Sequence, residues 1–222
     1  ELQMKKEDVL IVTGIGCWGK ADDYISANAL HTTHGRALTY ATGAKAANPK
    51  LNVIVLMGDG DGTTIGGNHL IHTARRHMAL TAIIVNNLNY GMTGGQYSAT
   101  TPTGAITSTS VGGNPERGFD VCDLVRAAGA NFVARESVAS GMRLKSRIVA
   151  GIQKKGFSLI EAMSPCTPLF GPRTQMKNPV AILRSLHERG VSPPQFDSLE
   201  NAANHGYFVT GLISAHNSPD FL

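Results

Sequence analysis

The sequence predicts a doubly wound α/β fold built on a parallel sheet. Three observations predict it: five short apolar runs of strand length, helix-patterned segments between them, and glycine or small polar residues directly after the runs. Short strands that are apolar at nearly every position have both faces buried, which happens when helices cover a parallel sheet on each side.

Residues 9–13, Val-Leu-Ile-Val-Thr, make the first strand and stop at Gly14-Ile15-Gly16-Cys17. Residues 35–47 follow as a helix opened by Gly35. The run at 52–57 ends at Gly58-Asp59-Gly60, and residues 66–77 form the next helix. The run at 80–85 ends in Asn86-Asn87. A helix at 119–128, a strand at 131–134, a helix at 140–154 and a strand at 157–162 complete the alternation, with a further helix at 179–189. Residues 100–117, rich in Thr, Ser, Gly and Pro, are a long loop, and loops of that length are usually functional or mobile. Residues 1–190 are expected to form one domain, with 191–222 a C-terminal extension packing on it or on a partner subunit.

Composition excludes several classes. The net charge of +4 is modest and spread along the chain, without the basic footprint of a nucleic-acid binder. No apolar run approaches the roughly 20 residues that span a bilayer, and no signal-peptide pattern opens the chain, so a cytoplasmic protein that does not enter membranes is expected. Three cysteines are too few for a disulfide framework and point to metal or cluster ligation. The 25 glycines gather beside apolar segments, as close backbone approach to a ligand requires. The chain starts at Glu1 and reaches its first strand within a few residues, so further natural sequence is expected upstream.

Ligands of such sheets bind beyond the carboxyl ends of the strands. There, Asp59 sits between two glycines that let a phosphate approach the backbone, and Asn87 lies 28 positions on, one helix and one strand later. Adjacent strand tips would bring the carboxylate and the amide together. With a nearby backbone carbonyl they suit magnesium, which takes hard oxygen ligands and commonly shares them with phosphate and water.

These residues resemble the signature of thiamine diphosphate enzymes, Gly-Asp-Gly followed one βα unit later by Asn-Asn. The likeness extends through Gly14 to Cys17, His31 to Arg36, Ile65 to His69 and Asn87 to Ser98, where it is similar to the β subunit of 2-oxoacid:ferredoxin oxidoreductases. Thr100-Thr101-Pro102 and Phe170 to Arg173 look most like the 2-oxoglutarate branch; a pyruvate or branched-chain branch is the alternative. The resemblance implies a thiamine diphosphate-binding fold and oxidative decarboxylation of a 2-oxoacid with coenzyme A and ferredoxin. It implies Asp59, Asn87 and the carbonyl of Asn89 as Mg²⁺ ligands. Gly58, Gly60, Asp61, Tyr90, Gly91, Met92, Thr93, Gly16 and Cys17 would lie around the cofactor, with the helix start near Gly66 lending its dipole. It also implies a [4Fe–4S] cluster, of whose four cysteine ligands Cys17 and Cys166 match two; without the others they are free thiols. A glutamate that activates the cofactor is implied on a separate α subunit.

Other residues are read two ways. His34 either moves a proton near the reacting carbonyl or caps a helix with His31. Arg36 either pairs with a carboxylate or phosphate or braces the helix flank. Lys20 either meets the distal carboxylate of 2-oxoglutarate or is a solvated surface lysine. Thr93 and Gln96 either meet the ligand or belong to a flexible hairpin, and the cations of 173–189 form a solvated face or a ferredoxin dock. Cys122 reads as a small buried hydrophobe. Competing functions are a thiamine-dependent carboligase or non-oxidative decarboxylase, and a non-catalytic nucleotide- or flavin-binding module.

Overall fold

The computed structural model describes residues 2–173 and 178–221. In chain order the elements are β1 (Val9–Thr13), β2 (Asn28–His31), α1 (Ala37–Ala47), β3 (Asn52–Gly58), α2 (Gly67–Arg75), β4 (Thr81–Asn86), α3 (Val121–Ala127), β5 (Phe132–Ser137), α4 (Gly141–Gln153) and β6 (Ser158–Met163). The C-terminal part adds α5 (Phe170–Arg173), α6 (Pro179–Arg189), β7 (Gly190–Val191), α7 (Pro193–Ser198), β8 (Phe208–Val209) and β9 (Gly211–Ala215).

Seven strands form one sheet in the order β2-β1-β3-β4-β6-β5-β9, parallel except for β9, which runs antiparallel to β5. Residues 211–215, within the stretch expected as an extension, are therefore part of the sheet itself. Register explains the two cores. Val12, Val55, Ala82, Leu159 and Val133 lie in one row across five strands and pack with Leu38 and Ala41 of α1, Leu70 and Ala74 of α2 and Val121 and Val125 of α3. The next row, Leu56, Ile83, Ile160 and Ala134, points the other way. It belongs to the core partly covered by Leu144, Ile148 and Ile152 of α4. Alternation of side chains along each strand thus feeds two layers of helices.

Besides the C-terminal elements, two features of the sheet's first half escaped the pattern. β2, Asn-Ala-Leu-His, is exposed at all four positions, so it carries no apolar run. The helical run after β3 begins at Gly60 rather than at residue 66, because residues Gly60–Ile65 form a π-helical turn ahead of α2. Small residues there, with the Thr63 hydroxyl donating to the Asp59 carbonyl at 2.6 Å, permit this wider winding.

Strand order departs from chain order at two points. β2 and β3 flank β1, so the chain connections leaving β1 and β3 diverge; β6 lies between β4 and β5, so the connection leaving β4 passes over β6, and a crevice lies at each place. Both crevices open at the carboxyl ends of the strands, where such folds bind ligands. Among the described residues no helix is long and apolar enough to cross a membrane.

Leu70 seats α2, the helix behind the first crevice, and is fully buried. Leu70→Ala is expected to lower unfolding free energy by about 2–5 kcal/mol in urea titrations; a loss under about 1 kcal/mol would show that α2 is not anchored through this contact.

Candidate active site

The site is built from the strand tips. Asp59 follows the last residue of β3 and is 1% exposed. Its Oδ2 accepts hydrogen bonds from the Ser98 hydroxyl at 2.5 Å and the Thr100 hydroxyl at 2.8 Å. Burial raises its pKa to about 6, and the two hydroxyls offset only part of that shift. The other carboxylate oxygen faces the tip of β4.

There the chain turns tightly. Leu88 adopts φ 65°, a left-handed conformation that is costly for a leucine, and the Asn86 Oδ1 accepts from the Leu88 backbone N–H at 3.0 Å. The turn folds Asn89 back onto Asn87. One terminal amide atom of Asn87 consequently lies 3.0 Å from Asp59 Oδ1, 2.8 Å from the Asn89 carbonyl oxygen and 3.3 Å from Asn89 Oδ1. With its nitrogen inward, Asn87 donates to these oxygens. With its oxygen inward, a carboxylate, an amide and a carbonyl oxygen crowd together with no proton between them, a donor set that suits a hard cation. The Asn89 Nδ2 is buried without a partner, another sign of a polar site left incomplete by protein groups alone. Among the described residues no group of three or more His, Cys, Asp or Glu converges for a metal, so this mixed amide and carboxylate set is the one that fits magnesium.

Asp59 opens onto a cavity of about 140 Å³. It is lined by the predicted Gly16, Cys17, Gly58, Gly60, Asp61, Asn87, Asn89, Tyr90, Gly91, Met92, Thr93 and His34, together with Trp18. The Tyr90 hydroxyl donates to the Gly60 carbonyl at 3.2 Å, and its ring fills the space that a Cβ on Gly60 would overlap.

The Asp61 side chain binds the His34 loop. Its carboxylate is 2% exposed, and Oδ1 accepts from the Gly35 N–H and from His34 Nδ1, both at 2.6 Å, and more weakly from the Ile15 N–H at 3.4 Å. Burial raises the Asp61 pKa against the lowering effect of Gly35 and His34. With Nδ1 committed to Asp61, His34 keeps Nε2 for a ligand. A Cβ on Gly14 would overlap Asp61 Oδ2, so the glycine admits the carboxylate.

Cys17 and Cys166 come together over Gly91: a Cβ there would stand 3.3 Å from the Cys17 Sγ and 3.6 Å from the Cys166 Sγ. Burial raises the Cys17 pKa, and Cys166 adds to the rise. Cys166 and Asn87 also line a second, largely apolar cavity of about 220 Å³ at the β4/β6 crevice. Cys122 is elsewhere, fully buried with its thiol donating to Glu161 Oε2 at 3.3 Å, and burial holds its pKa well up.

The remaining candidates, apart from Thr93 at the cavity wall, lie outside the cavity. Lys20 is exposed and pairs with Asp23 at 3.3 Å. Arg36 donates to the carbonyls of Gly35 at 3.3 Å and Ile65 at 3.2 Å, clasping the His34 loop to the end of the π-helical turn. His31 Nδ1 lies 3.0 Å from the Thr13 hydroxyl and 3.6 Å from Asp22. Thr93 and Gln96 bond each other through the Thr93 hydroxyl at 2.7 Å and the Gln96 amide at 2.9 Å. Arg173 donates to the Gly94 and Gly95 carbonyls, bracing that loop, whereas 174–177 of the predicted cationic stretch lie outside the described residues. Sequence reasoning missed Ser98, Thr100 and Trp18 as site residues. Polar residues in a loop otherwise expected to be mobile, and the chain's single tryptophan beside Cys17, were the available signals.

Comparison with known proteins gives a consistent result. Residues 14–162 match the model of the C-terminal TPP-binding domain of thiamine pyrophosphate enzymes. The chain is 47% identical to the 2-oxoglutarate synthase subunit KorB of Methanothermobacter marburgensis over 214 residues, covering 96% of this chain and 75% of that protein. It is 41% identical to the KorB subunit of Methanocaldococcus jannaschii, covering 100% and 82%. Its fold superposes with a TM-score of 0.85 at 28% identity on a 2-oxoglutarate:ferredoxin oxidoreductase from Magnetococcus marinus, solved with 2-oxoglutarate, coenzyme A and succinyl-CoA bound; the match covers 98% of this chain and 75% of that one.

Because the folded-state pKa of Asp59, about 6, lies above the ordinary carboxylate value of about 4, the protonated acid favours the fold. That contribution is complete below about pH 4 and is lost as pH rises through about 6, up to about 3 kcal/mol. In urea titrations without cofactor, wild type should therefore lose stability relative to Asp59→Asn between pH 4.5 and 7.5. Parallel pH profiles for the two proteins would refute this.

Proposed function

Since this chain belongs to the thiamine pyrophosphate enzymes, and within them to the β subunits of the 2-oxoglutarate:ferredoxin oxidoreductases, we propose that its cavity holds the diphosphate end of thiamine diphosphate through magnesium. The observation that carries the proposal is the convergence of Asp59, Asn87 and the Asn89 carbonyl at neighbouring strand tips. These oxygens would hold Mg²⁺, which would share its remaining positions with diphosphate oxygens and water. Free backbone N–H groups at the start of the π-helical turn would favour the anion.

When bound, thiamine diphosphate supplies the thiazolium carbon that adds to a keto group and accepts the electron pair released with CO₂. The chain's own contribution is orientation and proton handling. His34, fixed by Asp61, presents Nε2 to the cavity and can take or give a proton where the 2-oxoacid reacts. Cys17 and Cys166 converge beside that cavity and suit two thiolate positions of a [4Fe–4S] cluster, which would take electrons one at a time toward ferredoxin. Cys122 is buried against Glu161 and cannot join them, so a complete cluster draws its other two ligands from outside the residues present here. The substrate set is 2-oxoglutarate and coenzyme A, and an α subunit supplies the group that activates the cofactor.

Trp18 reports on the site. Its fluorescence should change on adding thiamine diphosphate with Mg²⁺ and stay constant with either alone; a response to a flavin or nicotinamide nucleotide instead would favour a non-catalytic nucleotide module. Without its α subunit the chain should reduce no methyl viologen with any 2-oxoacid, whereas the complex should do so. Lys20, held by an exposed pair that is easily given up, is proposed to meet the distal carboxylate of 2-oxoglutarate. In the complex, Lys20→Ala should lower the preference for 2-oxoglutarate over pyruvate by about tenfold, the scale of one charge-assisted hydrogen bond; an unchanged ratio would remove Lys20 from the site.

A further inference from the structure

Behind the strand tips lies an ion pair that the apolar sheet does not require. Arg135 of β5 and Glu161 of β6 are register partners, 6% and 2% exposed, with Arg135 Nε donating to Glu161 Oε2 at 2.6 Å. A pair this buried loses much of its attraction to desolvation, and well-packed apolar residues are often at least as stable in its place. Arg135 also donates through Nη2 to Asp120 Oδ1 at 2.6 Å.

The other oxygen of Glu161 leads to the active site. Oε1 accepts from Asn86 Nδ2 at 2.7 Å, which commits the Asn86 amide to one orientation. Asn86 Oδ1 then accepts from the N–H of Leu88 at 3.0 Å and, also at 3.0 Å, shares the single proton of the Thr100 hydroxyl with Asp59 Oδ2. The first contact holds Leu88 in the left-handed conformation that returns the Asn89 carbonyl to Asn87. The second brings Thr100 against Asp59 Oδ2, which also receives the Ser98 proton, so that Oδ1 is the oxygen left facing Asn87. If the Asn86 amide turned over, its NH₂ would face the Leu88 N–H, so that arm would fail, and Thr100 would change from donor to acceptor toward Asn86.

We infer that Glu161, oriented by Arg135, is a positioning residue that sets the arrangement of the magnesium-ligating oxygens through Asn86 and Thr100. The inference rests on the reading that Asp59, Asn87 and Asn89 hold magnesium. Glu161→Gln is the informative change. A glutamine that turns its oxygen to Arg135 offers a donor to Asn86 Nδ2, and Asn86 is then driven to turn. Thr100→Val removes the hydroxyl link with little change of shape, and Thr100→Ser restores it. Cys122→Ala serves as the control, because its thiol touches Glu161 Oε2 without joining the path to Asn86.

The test measures the Mg²⁺ concentration that half-saturates thiamine diphosphate binding, read by Trp18 fluorescence on the full chain copurified with its partner subunit, with Tm recorded in parallel. Glu161→Gln and Thr100→Val should each raise that concentration about tenfold, the scale of one misdirected buried hydrogen bond, and Thr100→Ser should return it to within about twofold of wild type. Cys122→Ala should lower Tm and leave the half-saturating Mg²⁺ concentration unmoved. Variants that lose Tm yet bind at the wild-type Mg²⁺ concentration would overturn the positioning role. If Glu161→Gln does not fold, the Val and Ser variants at Thr100 decide alone. A wild-type complex that binds no thiamine diphosphate at any Mg²⁺ concentration would instead overturn the functional reading.

Discussion

A carboxylate shut away from water organises this molecule. Asp59 stands at the end of a central strand, where burial makes its charge costly, and the protein supplies two hydroxyl donors that only partly relieve it. Its remaining oxygen meets an amide and a carbonyl across the gap to the next strand. Such a cluster is tolerable in two states: with protons between the oxygens, or with a cation among them. The second is the state proposed for this site.

The architecture that delivers Asp59 there is simple. Parallel strands in register place the ends of β3 and β4 side by side, so Gly58 pairs with Val85 and the next residues meet above the sheet. The two departures of strand order from chain order open crevices on either side of that meeting point. One holds His34, Tyr90 and Cys17; the other holds Cys166 and the apolar wall formed with α6 and the segment before β8. Gly91 lies beside both thiols, with a Cβ there placed 3.3 Å from the Cys17 Sγ and 3.6 Å from the Cys166 Sγ.

Most of the parallel sheet was legible because its strands are apolar on both faces, and Asp59 and Asn87 were legible because glycines and strand ends flag them. What remained hidden was hidden for physical reasons. β2 has no buried face and so no hydrophobic pattern. β9 is only partly buried at the sheet edge. The task of the Asp61 side chain was hidden too: its direction in the π-helical turn, not its position beside Gly60, brings the carboxylate to His34. Ser98 and Thr100 belong to a loop whose composition suggests mobility, yet Asn114 pins that loop through Thr101 and Glu116 carbonyls. Charges within strands, such as Arg135 and Glu161, break the apolar pattern without announcing where they lead.

The oxygens of Asp59, Asn87 and Asn89 are proposed to hold a divalent cation against a diphosphate. Manganese in place of magnesium makes that contact visible by electron–nuclear double resonance. With thiamine diphosphate present, wild type should show phosphorus coupling to the bound manganese, and Asn87→Ala should lose both the coupling and the tightly bound ion. Manganese coupled only to water protons in the wild type, or equal phosphorus coupling in the Asn87→Ala variant, would contradict the account.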